Sequence, residues 1–210
     1  MLLGRARKAL LPTLLLLVVP LNAKVVRVEI SSRTDVLNGR SFGDAGAFER
    51  IAGRVYFSVS ASNRHNRAIV DLTNAVNLKK GEVEFSSDFV AICPKDARKG
   101  NGSLILEVPN RGYGRIIALV DGGDWNVARD AGDAWLLNKG YTVVTLGWQW
   151  DATGENSLRL FAPIAKQNGE TITGLLRGDY MPWNVRSQIP LGHFFSRDGI
   201  GGSEIGRAHV

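Results

Sequence analysis

The chain has 210 residues, 44% of them apolar and 22% charged, with a single cysteine and a formal charge of +6. That length can bury one sizeable core, and the composition is that of a globular protein rather than a disordered or fibrous one. One cysteine excludes an intrachain disulfide. Arg5, Arg7 and Lys8 at the extreme N-terminus account for half of that net charge, so the remainder is too small and scattered to argue for nucleic acid.

The first residues, Met1-Leu-Leu-Gly-Arg-Ala-Arg-Lys8, are basic; an apolar run from Ala9 to Val19 follows, then Pro20-Leu-Asn-Ala23. A basic start, a short hydrophobic stretch and a small residue before the break describe a secretory signal peptide. The run is shorter than the ~20 residues that span a bilayer. Residues 1–23 are therefore expected to be cleaved after Ala23, leaving an exported protein, periplasmic or secreted, with no stable membrane anchor.

From Lys24 to Asp96 the pattern has period two. Val26, Val28 and Ile30 alternate with Arg27 and Glu29; Val55, Phe57 and Val59 alternate with Tyr56 and Ser58; Val83 and Phe85 alternate with Glu82 and Glu84. This predicts antiparallel sheet with one core face and one wet face. Turn clusters such as Leu37-Asn-Gly-Arg40 and Lys79-Lys-Gly81 separate the strands. Cys93, inside Phe89-Val-Ala-Ile-Cys-Pro94, reads as a small buried hydrophobe, and no histidine motif beside it supports a nucleophile.

From Ser103 the texture changes. Leu104 to Val108 is a near-continuous apolar run, expected to be a strand buried on both faces, and Pro109 ends it. Asn110-Arg-Gly-Tyr-Gly114 then forms a loop in which two glycines allow unusual backbone geometry. The spacing of Ala128, Ala131 and Trp135 predicts a helix between Trp125 and Lys139, closed by Gly140. A second apolar strand, Tyr141 to Leu146, leads into Gly147-Trp-Gln-Trp-Asp151. Strand, loop, helix and strand make a βαβ unit, and function is expected at the ends of its two strands. Beyond it, Leu158 to Ala165 and Thr171 to Tyr180 flank Gln167-Asn-Gly-Glu170, a hairpin signal.

Several chemistries are excluded. Gly112-Tyr-Gly114 lacks the third glycine of a dinucleotide fingerprint, and no G-x-x-x-x-G-K phosphate loop occurs. The histidines, His65, His193 and His209, have no metal-ligand spacing, so neither a metal nor a cofactor is expected. Acyl transfer is not among the excluded chemistries: its G-x-S-x-G nucleophile turn is absent here, and Gly202-Ser-Glu-Ile205 fails the pattern, but a hydrolase cut before its nucleophile would read this way. The last six residues, Ile205-Gly-Arg-Ala-His-Val210, back-translate to ATC GGA AGA GCA CAC GTC, a string that matches a common short-read library adapter. Residues 204–210 are thus expected to be adapter-encoded, with the natural chain continuing past Ser203.

The sequence resembles a family of exported bacterial α/β-hydrolase domain proteins. The matching pieces include Arg33-Thr-Asp-Val, Phe42-Gly-Asp-Ala-Gly46, Ile51-Ala-Gly-Arg-Val-Tyr-Phe57 and Ile69-Val-Asp-Leu72. They continue through Gly81-Glu-Val-Glu-Phe85, Glu107-Val-Pro-Asn-Arg-Gly112 and Gly140-Tyr-Thr-Val-Val144 into Gly147-Trp-Gln-Trp-Asp151. The resemblance implies an α/β fold: residues 24–203 would be the N-terminal portion of an α/β-hydrolase sheet, an antiparallel section leading into the βαβ unit. It implies a carboxylic ester hydrolase acting on a small-molecule ester, with its serine nucleophile, acid and histidine downstream, so that this chain alone would be inactive. Arg111 and Gly112 would then occupy the oxyanion loop, a backbone N–H supplying the stabilisation, and Asn110, Trp148, Gln149 and Asp151 would line the substrate edge. The plainer alternative for Asn110-Arg-Gly is a turn in which Arg111 pairs with a carboxylate. For Trp150 and Asp151 the plainer alternatives are a tryptophan packed under the loop and a solvated aspartate. A different class also stays open: a secreted β-rich carbohydrate-binding module using exposed tryptophans.

Overall fold

The computed structural model describes residues 23–152 and 154–173, together with the backbone of 188–190 and 207–209. Residues 1–22, which hold nearly all of the expected signal peptide, and most of the residues beyond 173, including Ser203 and Glu204, lie outside the described residues.

A mixed seven-stranded sheet forms the body. Its strands are β1 (Ala23–Asp35), β2 (Ser41–Phe42), β3 (Gly46–Ser60), β4 (Glu82–Pro94), β5 (Leu104–Glu107), β6 (Thr142–Leu146) and β7 (Leu160–Phe161). The order across the sheet is β1-β3-β4-β6-β5, with β2 paired to β3 and β7 to β4. β3 and β4 run antiparallel without a break from Phe48↔Pro94 to Ser60↔Glu82. Among the described strands, only β5 and β6 pair in parallel. Between them lie two short helices, α1 (Ile116–Asp121) and α2 (Trp135–Asn138). A separate hairpin joins β8 (Lys166–Gln167) to β9 (Glu170–Thr171), and the backbone of β10 (Gln188–Pro190) pairs with β11 (Arg207–His209).

The core lies where β3, β4 and β6 meet the two helices: Phe48, Val90, Ile92 and Val143 pack with Ile117 and Leu137. Phe42 meets Phe48 edge to face, with ring centroids 5.6 Å apart. Removal of these side chains from water is the main force joining sheet and helices.

This architecture corrects the expected fold. Strand makes up 41% of the structure and helix 21%, most of the latter as isolated 3-10 turns. One parallel pair at the margin of an antiparallel sheet, with two helical pieces of six and four residues, does not make an α/β-hydrolase sheet. The expected helix over 125–139 reduces to α2, because short polar side chains upstream capture nearby amides. Asn126 Oδ1 accepts from the Ala128 N–H, Asp124 Oδ2 from Arg129 N–H and Asp130 Oδ1 from Gly132 N–H. Such local bonds compete with the helical ladder. β5 is not buried on both faces: Leu104 and Leu106, with Val108 just beyond them, are 54–59% exposed, because no described residue covers that face of this edge strand. Val26, Val28 and Ile30 of the other edge strand are likewise exposed rather than in the core. The Asn-Gly hairpin forms, with Asn168 and Gly169 both at positive φ (54° and 88°) as a two-residue type I′ turn requires. Of the two longer strands expected around it, only Leu160–Phe161 and the short hairpin arms appear up to Thr173.

Candidate functional site at the ends of β5 and β6

Parallel pairing sets Glu107 beside Thr145, so β5 and β6 release their loops side by side. Pro109 begins the first loop with no N–H to offer, and Arg111 follows with φ 58°, a left-handed conformation costly for a non-glycine residue. The loop pays for that geometry by binding the second loop at three points. The Arg111 backbone N–H donates to Gln149 Oε1. The Arg111 guanidinium donates to Asp151 Oδ2 at 2.8 Å and to the Asp151 carbonyl at 3.3 Å. The Trp148 indole N–H donates to the Pro109 carbonyl at 2.7 Å. Gly112 must be glycine here, since a Cβ would lie 2.7 Å from the Leu158 carbonyl oxygen.

The structure thus brings together five of the six residues singled out in the sequence, namely Arg111, Gly112, Trp148, Gln149 and Asp151. Asn110 is exposed. Asp151 is buried rather than solvated, and its partner is the arginine. Trp150 is 64% exposed, not packed under the loop, and Trp148 keeps half of its surface open while its N–H is engaged. The Arg111 amide, expected to serve an oxyanion, is engaged by Gln149 in this conformation.

Residues that the sequence reading passed over support the junction from below. Glu107, the last residue of β5, accepts from the backbone N–H groups of Arg115 and Ile116 and so caps α1. Its other oxygen is 3.5 Å from the Thr145 hydroxyl of β6. Asp121, fully buried at the end of α1, accepts from the Trp135 N–H at 3.0 Å and the Leu136 N–H, and so caps α2. Burial pushes the Asp121 carboxyl above its ordinary value, against the opposing pull of those two amides. Both carboxylates reach helix termini more than seven residues away, which no local capping pattern reveals.

Beside the junction opens a cavity of about 430 Å³ between these loops and the segment joining α1 to α2, bounded by Tyr113, Trp125, Arg129, Glu155 and Asn156 among others. Cys93, by contrast, stands apart on β4, half-buried; burial and the neighbouring Glu49 carboxylate raise its thiol and keep it protonated. Among the described residues no three His, Cys, Asp or Glu side chains converge as a metal cluster would require. No described helix is long and apolar enough to cross a membrane. Comparison with protein-family models, with curated proteins and with solved structures returned no match.

Proposed function

We propose that the protein is an exported hydrolase of carboxylic esters, in which acyl transfer takes place at the carboxyl ends of β5 and β6. The proposal concerns chemistry and not architecture. One observation carries it: two parallel strands end side by side, and their loops are held rigidly by the Arg111–Asp151 pair, with a backbone N–H aimed at a side-chain oxygen. Carboxyl ends of parallel strands are where such sheets hold ligands, and a fixed amide dipole is what a developing oxyanion needs.

Gln149 is the acceptor that an ester oxygen would replace. A carboxamide oxygen is neutral, whereas an oxyanion is charged, and hydrogen bonds to charged acceptors are roughly twice as strong. The amide would therefore pass from Gln149 to the tetrahedral intermediate as charge develops. Loss of one such donor typically lowers the rate ~10²–10³-fold.

The reading requires a nucleophile, which no described residue supplies. The test is to sequence the source locus through and beyond the codon for Ser203, then to express the whole frame. A continuing frame with G-x-S-x-G, labelling by a fluorophosphonate and turnover of p-nitrophenyl acetate support the proposal. A genomic frame without such a serine, or a product that neither labels nor turns over, sinks it.

A second reading, a β-rich carbohydrate-binding module, is favoured by the exposure of Trp148 (50%) and Trp150 (64%) on one loop of a sheet-dominated protein. Saccharide binding by a product without esterase activity would place it first.

A further inference from the structure

The cavity beside the junction has a composition the proposed chemistry does not explain. At about 430 Å³ it falls within the ~300–1,000 Å³ of small-molecule sites. Tyr113 and Trp125 meet there edge to face, with centroids 6.2 Å apart and planes at 81°. Around them stand Asp124, Asn126, Arg129, Glu155 and Asn156. The Glu155 carboxylate and the Asn156 carboxamide have no hydrogen-bond partner among the described residues, so both keep their full capacity for a ligand.

The aromatic rings are held in place. The Tyr113 hydroxyl donates to the Glu155 carbonyl at 2.8 Å and so ties the first loop to the second, as Arg111–Asp151 does a few residues earlier in each. A Cβ at Gly154 would lie 1.9 Å from that hydroxyl, and one at Gly114 would lie 2.9 Å from the Trp125 ring. Both glycines therefore make room for the rings. Val127, between the lining residues Asn126 and Ala128, is buried in the core with φ 46°, an outlier for a β-branched residue.

Aromatic faces with carboxylate, carboxamide and guanidinium groups at their rim suit a molecule with C–H faces and a belt of hydroxyls. The charges narrow the class further. Arg129 is already paired with Asp124 at 3.4 Å, which leaves Glu155 as the uncompensated charge. A carboxylate accepts hydroxyl protons well and repels an anionic sugar. We infer that this cavity binds a neutral saccharide unit, so that the ester acted on is an acyl group carried on a neutral sugar. The second half of that statement rests on the hydrolase reading; the binding half does not.

The experiment titrates the expressed protein with xylotetraose, cellotetraose and trigalacturonate, following tryptophan fluorescence and calorimetric heat. Binding of one of the neutral sugars, at least tenfold tighter than trigalacturonate, is expected. Glu155→Ala and Asn156→Gly, both in an exposed turn, should each weaken it by tenfold or more with an unchanged circular dichroism spectrum. Glycine is chosen at 156 because Asn156 has φ 61°. Absence of saturable binding up to 20 millimolar (roughly the weak limit for a single shallow site), preference for the anionic sugar, or binding indifferent to both substitutions overturns the inference. Turnover of p-nitrophenyl acetate is measured on the same sample. Sugar binding without turnover leaves the cavity assignment standing and removes the hydrolase; turnover without sugar binding does the reverse.

Discussion

Arg111 combines two demands that usually fall on different residues: a backbone that glycine would tolerate better, and a long cationic side chain that reaches Asp151. The ion pair is unequal, since the Asp151 side chain is 9% exposed and that of Arg111 36%. Removing the arginine leaves a buried carboxylate without its cation, whereas Asp151→Asn leaves an arginine that can still reach water. Loss of the arginine side chain is therefore expected to cost more than Asp151→Asn, about 1–3 kcal/mol against less than about 1. The partial exposure of the pair keeps both figures below the buried-pair range. Arg111→Gly should be less damaging than Arg111→Ala by about 1 kcal/mol, because glycine accepts the left-handed backbone. Urea midpoints of the three variants check the order. An Arg111→Ala variant more stable than Arg111→Gly would contradict the backbone argument. The partnership itself was only half legible beforehand: Asn110-Arg-Gly allowed an arginine–carboxylate turn, but nothing local said that the carboxylate would come from Asp151 in the next loop.

The elements show the same division. Hairpins and turns could be read from the sequence, because Asn168-Gly169 and Gly140 enforce their own geometry. Helices could not. The stretch before α2 has helical spacing, yet Asp124, Asn126 and Asp130 spend their side chains on local amides. α1 was missed because Glu107 caps it from the preceding strand. β5 lies where it was expected, but it is not buried on both faces, because an apolar run reports composition and not what covers it. Asp121 provides the clearest test at this scale. Its carboxyl is raised by burial, so the folded state holds the proton more tightly than the unfolded chain does. The resulting stability is fully present below the ordinary carboxylate value of 3.8 and is lost as pH rises through the raised one. Asp121→Asn keeps an oxygen acceptor for the α2 amides and should flatten the stability–pH profile over that window. Asp121→Ala leaves buried amides unpaired and should cost about 1–3 kcal/mol at low pH, where the wild-type carboxyl is protonated, and less as pH rises through its raised value. A slope identical in wild type and Asp121→Asn would refute the assignment.

At the scale of the molecule, both edges of the sheet are apolar and open among the described residues. Leu104 and Leu106 on β5 stand exposed, as do Leu119 and Val120 on α1. Unpaired, apolar edge strands recruit other chains. The protein is expected to self-associate on concentration, and Leu106→Lys should reduce light scattering and shift elution toward the monomer. Because Leu106 is 57% exposed, its replacement should leave stability within about 0.5 kcal/mol. Unchanged association in Leu106→Lys would move the sticky surface elsewhere.

The sheet also has a history built into its connections. β3 and β4 form one long antiparallel ladder, unbroken from end to end. β5 and β6 are joined only after the chain has passed through residues 108–141 and two helical pieces. Closing that longer parallel crossover carries its entropy cost before its contacts repay it. The ladder should therefore stand in the transition state and the β5–β6 junction should close after it. In stopped-flow experiments, Asp151→Asn would then quicken unfolding and leave the folding rate almost untouched, whereas a truncation at Phe48 or Ile92 would slow folding. The candidate site would be the last part of the described structure to assemble and the first to come apart.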